Sequence, residues 1–434
     1  MSTARPVPGS MSNAAYEQRL RDAVMDAAPL LNARLLPVNV RSGALNKALA
    51  AGLPQLRDDL WKYADLKFLA SAALAPVSSE SGQVLADSVR ALLPPALTGL
   101  TRLVFADGRL IPALSDPCPA LDAATAPLVP ERTRHERFGW LNDAFATDVA
   151  RLNVKDAAQL EVIFVATHGN TRQAVYPRLE LDVAANAQVS VVERHLGSTG
   201  EQGLINAAVQ VHAASGSQVE HLRWQALDAD AQFLDTVQVA LAGNAHYKLT
   251  QVQLGARTAR CSLRVSMYGA GADFALSGVS VAAGRRTLDN SLLVDHLAPQ
   301  TRSAQLFRAI ARDGAHIACR SRVEVNRTAR ASESSQSLKG LLAGTGSEID
   351  LRPQLEIFTD EVRASHGATT GALDEDMRFY LASRGLDADT ARALLEWAFL
   401  EDALRELGQP ALRTAAEHAL ATALGSDVAR QVLA

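Results

Sequence analysis

Cysteine is scarce in this chain: three in 434 residues, Cys118, Cys261 and Cys319, all far apart. They form no CxxC pair, no metal-ligand spacing and no disulfide framework. No stretch approaches the roughly 18 apolar residues of a membrane span, and the opening MSTARPVPGSMSNAAYEQ has no apolar run of a secretory signal. A cytoplasmic location with reduced thiols is expected. The net charge of −4 and the lack of any Lys/Arg run argue against nucleic acid as a partner. Catalytic signatures are also missing: no P-loop, GxSxG or HExxH, and no GxGxxG between a strand and a helix. GAGAD at 269–273 is followed by no helix that could hold a phosphate, so it reads as a turn. Asp289 and Asp295 are the candidate carboxylate pair before the C-terminal part, and one such pair is too little for a sugar-cleaving solenoid.

The length predicts two or three domains. Residues 1–12 read as a disordered tail. Residues 13–95 read as a helical domain: Leu20, Val24, Ala27 and Leu31 share a stripe, Ser42 is a candidate cap for the next helix, and Trp61 and Tyr63 are expected core anchors. Over 96–358 the pattern turns to strands. In CSLRVSMYG, Leu263, Val265 and Met267 alternate with Ser262, Arg264 and Ser266, the period of a half-buried strand. Small-residue turns recur at Ala185-Asn186, Gly216-Ser217, Gly243-Asn244, Gly269 to Gly271, Gly284, Gly314 and Gly344. Most steps are roughly 27 to 31 residues, the scale of a stacked repeat. No amphipathic helix interrupts the region, so a mainly β fold is expected: a β-solenoid, with a large sandwich as the alternative.

Residues 359–434 return to helix. Asp374 and Asp387 are N-cap candidates, Gly385 and Gly408 stops, and Pro410 opens the last helix. Ala391, Leu394, Leu395, Ala398 and Phe399 form the expected apolar stripe of the middle helix.

His195, His221 and His246 recur about 25 residues apart and could line one face of a solenoid, although they do not track the turns. His366 stands apart because Ala364, Ser365, Gly367 and Ala368 surround it with little bulk. Two readings stand side by side there: a turn histidine capping carbonyls, or an imidazole that binds metal or passes a proton near neutral pH.

The run RPQLEIFTDEVRASHGATTGALDEDMRFYLASRG resembles the C-terminal signature of the SufB/SufD family of iron–sulfur cluster assembly proteins. The likeness continues through ASESSQSLKGLLAGTGSEIDLRPQLEI and DHLAPQTRSAQLFRAI, and more weakly through YPRLELDVAANAQVSVVERHLG and GLPQLRDDLWKYADLKFL. The SufD branch matches better, because Gly367 rather than a glutamate follows His366. The resemblance implies a right-handed parallel β-helix between two helical domains. It implies a non-catalytic subunit that pairs with a SufB-like chain and binds a SufC-like ATPase through its C-terminal helices. His366 carries over as a candidate ligand for nascent iron or sulfur at the partner interface, supported by Ser365, Gly367, Thr369 and Gly371. Many SufD sequences have cysteine where this chain has Ala364, so this position offers no thiolate. Arg392, Glu396, Trp397, Leu400 and Glu401 are the expected ATPase-facing residues. No cofactor is expected to be held tightly by the chain alone, only a transient iron–sulfur cluster in the complex, with ATP on the partner. A flavin in the complex and a homodimer of the isolated chain are left open. The alternatives are a SufB-like scaffold and a solenoid carbohydrate-active enzyme.

Overall fold

A computed structural model describes residues 12–27, 36–54, 58–76, 82–122, 127–128, 131–167, 174–201, 203–405 and 407–424. Most of the expected tail, Leu31 and His168 lie outside them. Two parallel sheets face each other. One holds, in spatial order, Thr101–Ala106, Ala157–Ala166, Gln188–Gly197, Gln218–Leu227, His246–Gln253, Asp273–Ala283, Arg302–Arg312, Ser332–Ala343 and Val362–Gly371, with Arg109–Leu110 added antiparallel outside the first. The other holds Ala150–Val154, Arg178–Val183, Leu204–Ala213, Gln232–Leu241, Thr258–Met267, Thr287–His296, His316–Val325 and Glu348–Ile357. The chain alternates between the sheets, so each coil stacks on the one before. Val191, His221, Leu249, Leu276, Gln305, Gln336 and His366 thus form one column, with about 4.8 Å between rungs. The expected parallel β-solenoid is what the chain forms.

The corners explain the recurring turns. Asn186, Gly216, Asn244, Gly271, Gln300 and Ala331 all have φ between 55° and 72°. The N–H of each donates to the carbonyl just before the corresponding residue of the next coil, or for Ala331 to Glu361, at 2.7–3.1 Å. One left-handed residue per coil favours Gly and Asn, which adopt that conformation at least cost. Gln300 and Ala331 break the signature while keeping the geometry. Gly284, Gly314 and Gly344 sit at the opposite corner, so the sequence periodicity had slipped by half a coil.

The apolar core between the sheets runs from Leu103 to Leu338. Helices α1 (Asn13–Ala27), α2 (Val38–Ala51) and α3 (Gly82–Arg90) precede the sheets, and α4 (Arg137–Phe145) lies within the β region. That last helix corrects the expectation of an uninterrupted strand region. All nine of its residues are buried, so it carries no amphipathic period to be read. Asn142 fixes it, donating to Pro177 O and Asn206 O at 2.8 Å each. Ser42 is not a cap; the helix starts after Pro37 and the Ser42 hydroxyl donates to Asn39 O.

Trp61 is buried between Phe138 and Arg260, whose guanidinium lies 3.8 Å from the ring centroid. α1, α2 and α4 thereby seal the outer face of the second sheet. α5 (Glu375–Ser383), α6 (Ala388–Glu401) and α7 (Pro410–Leu424) follow the last strand. Asp374 and Asp387 cap α5 and α6, each accepting two backbone N–H bonds. Trp397, Leu400, Leu412 and Leu420 pack on Val252, Val279 and Ile310 of the first sheet's outer face.

Candidate functional site

His366 lies in a strand, not a turn. Val362–Gly371 pairs along its length with Ser332–Ala343, His366 opposite Gln336. The run lacks the bulky residues expected of a strand, yet the preceding coil templates it. Side chains alternate across a strand, so Ala364, His366, Ala368 and Thr370 share the inward side that Gln305 and Gln336 occupy in earlier coils. No coil follows to cover them: every residue from Arg363 to Gly371 is exposed. His366 is thus an interior position of the β-helix left open at its end. Ala364 is its neighbour on the same side.

The motif residues follow that geometry. Ser365, Gly367, Thr369 and Gly371 take the outward side. A Cβ added at Gly367 or Gly371 would meet nothing within 4 Å, and neither has a positive φ. Nothing inside the described chain requires glycine at either place. Ile357 and Phe358 add exposed apolar surface at the same end, beside Arg327 and Arg330.

The residues expected to face an ATPase divide. Glu396, Trp397 and Leu400 are buried against the first sheet, Glu396 as the ion partner of Arg312. The buried face of α6 carries Ala391, Ala393, Glu396, Trp397 and Leu400, and Ala398 of the expected stripe is exposed. The helix is rotated from the apolar-only expectation because a buried ion pair, invisible to a hydrophobicity pattern, lies on its inner side. Arg392 is exposed and pairs with Asp389 at 3.1 Å, while Glu401 holds Arg405 at 3.0 Å and Arg413 at 3.4 Å. The exposed apolar surface of the C-terminal helices is instead Met377, Phe379 and Tyr380 on α5.

The histidine ladder takes another form. His246 is exposed, and His195, His221 and His246 occupy different columns. His195 and His221 meet at Glu193, with Nε2 atoms 2.6 and 3.2 Å from its carboxylate. Arg223 bridges Glu193 at 2.7 Å and Asp235 at 2.8 Å. Burial alone would raise the Glu193 pKa, but the Arg223 guanidinium and the hydrogen bonds from Arg223, His195 and His221 hold it well below the usual carboxylate range. Burial pushes the His221 pKa down, against the pull of Glu193. Sequence reasoning missed this cluster because strands buried on both faces lose the alternation that marks an inward charge. Charged residues and histidines set within the apolar runs VVERH and VEHLR were its one trace.

No group of three or more His, Cys, Asp or Glu able to hold a metal exists among the described residues. Cys261 and Cys319 are buried, and burial pushes both thiols up, so neither supplies a thiolate near neutral pH. Asp289 and Asp295 are held in ion pairs by Arg260 and Arg264. No helix among the described residues is long and apolar enough to cross a membrane.

Residues 164–399 match the family model for the SUF system FeS cluster assembly SufBD core domain. The iron–sulfur cluster assembly protein SufD of Escherichia coli is 25% identical over 381 residues, covering 84% of this chain and 88% of that protein. A SufBD-family iron–sulfur cluster assembly protein of Synechocystis is 28% identical, covering 85% and 87%. The chloroplastic protein ABCI7 of Arabidopsis thaliana is 22% identical, covering 92% and 89%.

Proposed function

Because the chain belongs to the SufB/SufD family of iron–sulfur cluster assembly proteins, on its SufD side, we propose that it is the SufD-like subunit of a three-component assembly. Its open coil end pairs with a SufB-like chain, and its C-terminal helices dock a SufC-like ATPase. The observation that carries this reading is the uncovered last strand with His366 on its inward side. An exposed strand that also ends a hydrophobic core is a surface made to be covered. Gly367 and Gly371 fit the same role: the chain itself does not need them, but a second backbone approaching that strand would.

In this reading the iron–sulfur cluster is cargo. His366 offers an imidazole nitrogen to iron at the partner boundary, and the partner supplies the remaining ligands. The chain contributes no turnover of its own, and ATP binds the partner. A self-sufficient SufB-like scaffold is disfavoured by the buried, protonated state of Cys261 and Cys319. The ATPase surface moves from Trp397 and Leu400 to the exposed ring face of α5, with Arg392 and Glu401 at its side. The compartment is left to the organism, since one relative is chloroplastic.

Gly367→Arg tests the interface. A Cβ at that place meets nothing in this chain within 4 Å, so the isolated variant should keep its thermal midpoint. Co-expressed with a SufB-like chain, it should fail to co-purify. Unimpaired co-purification would show that the partner does not cover this strand.

A further inference from the structure

The column that ends at His366 is polar for its last three rungs, Gln305, Gln336 and His366. Gln305 is 2% exposed, and neither its amide nitrogen nor its oxygen has a hydrogen-bond partner among the described residues. The Gln336 amide nitrogen donates to Gln354 O at 3.2 Å, but its oxygen has no such partner. The fully buried Ser321 hydroxyl has none either. Deeper in, polar groups are joined. Gln251 donates to Asn290 at 2.9 Å, and Asn290 and Ser280 both donate to Gln253 at 2.8 Å. Cys319 stacks directly on Asn290, on the side toward the open end, and Ser321 follows it two residues on.

Native proteins seldom leave buried amides and hydroxyls without partners, and ordered water fills that role where protein atoms do not. Three orphaned groups in the last buried coils, aimed into one interior and leading to an open end, are such a place.

We propose that a file of ordered water enters the β-helix at His366, passes Gln336, Gln305 and Ser321, and reaches Cys319 and the Asn290 network. The site takes water and water-sized neutral polar molecules. Its entrance rests on the reading of this end as the partner-facing one, so a covering partner would seal the file from bulk solvent. Leu276, Phe307 and Leu338 form the apolar walls.

The two buried thiols report on this directly. Burial raises the pKa of both, so intrinsic reactivity does not separate them and access does. The full chain carrying Cys118→Ser is treated with hydrogen peroxide, a neutral polar molecule close to water in size, under native conditions, and peptide mass spectrometry follows the oxidation of Cys319 and Cys261. Cys319 should react about tenfold faster or more, because it needs no sub-global opening. Gln336→Leu, which narrows the entrance with an apolar side chain, should bring it down to the Cys261 rate. Equal rates for the two thiols in the Cys118→Ser chain would overturn the proposal, whether or not the leucine variant folds. A crystal structure in which protein atoms satisfy the Gln305 amide would overturn it as well. Neither readout involves cluster content or partner binding, so failure here is distinct from failure of the functional reading.

Discussion

Acidification should weaken this fold through His296. The residue has no exposed surface, with Nδ1 2.8 Å from Thr301 Oγ1 and Nε2 2.8 Å from Ser303 Oγ. A neutral imidazole suits that place, donating through one nitrogen and accepting through the other. Burial pushes its pKa down to about 4. The unfolded value is about 6.5, so between the two the unfolded chain binds the extra proton. The stability His296 contributes is complete above about pH 6.5 and is lost as the pH falls from there through about 4. The full shift is worth about 3 kcal/mol, of which about 2 kcal/mol has gone by about pH 5. At roughly 2 °C per kcal/mol, for a chain beyond the usual domain size, the thermal midpoint should fall by about 4 °C from this residue alone. The assay compares wild type with His296→Gln between about pH 7.5 and about pH 5. The variant keeps a donor and an acceptor but cannot take up the proton, so its midpoint should fall less by that amount. Identical pH slopes would refute the reasoning.

Three further outcomes follow from named contacts. Glu396→Ala strands Arg312 without its buried carboxylate and should cost about 3 kcal/mol, releasing the C-terminal helices to limited proteolysis; Arg392→Glu, on the exposed side of α6, should leave the digestion pattern unchanged. Trp61→Ala empties the space between Phe138 and Arg260 and should lower stability by about 3–5 kcal/mol in urea unfolding. Gly197→Ala sets a Cβ 2.1 Å from Ala166 O at φ +81°, a strain that should cost at least about 3 kcal/mol and appear as lost soluble yield and a lowered midpoint.

The solenoid was legible because its corners need a left-handed residue in every coil, and Asn186, Gly216, Asn244 and Gly271 supply Asn or Gly there. Gln300 and Ala331 hide the same geometry, and the half-coil slip to Gly284 followed from that. Helix ends were legible where a side chain accepts backbone N–H bonds, as Asp374 and Asp387 do. α4 was not, because a helix buried on every side has no polar face to mark its period. His366 was singled out for the small residues around it, and that run read as a turn. Only the pairing with Ser332–Ala343 makes it a strand. The inner face of α6 was misread and the ion cluster inside the first sheet was missed for one reason: Glu396, Glu193 and Arg223 are buried as ion pairs, and hydropathy assigns such residues to solvent.

The central claim is that the open end of the β-helix presents His366 to a cluster shared with a SufB-like partner. The most direct measurement co-expresses this chain, wild type or His366→Ala, with SufB-like and SufC-like chains and reads iron and sulfide in the purified complex. The account predicts intact assembly in both and a lower cluster content only in the variant. Assembly and cluster content both equal to wild type would make His366 a residue of the strand and nothing more.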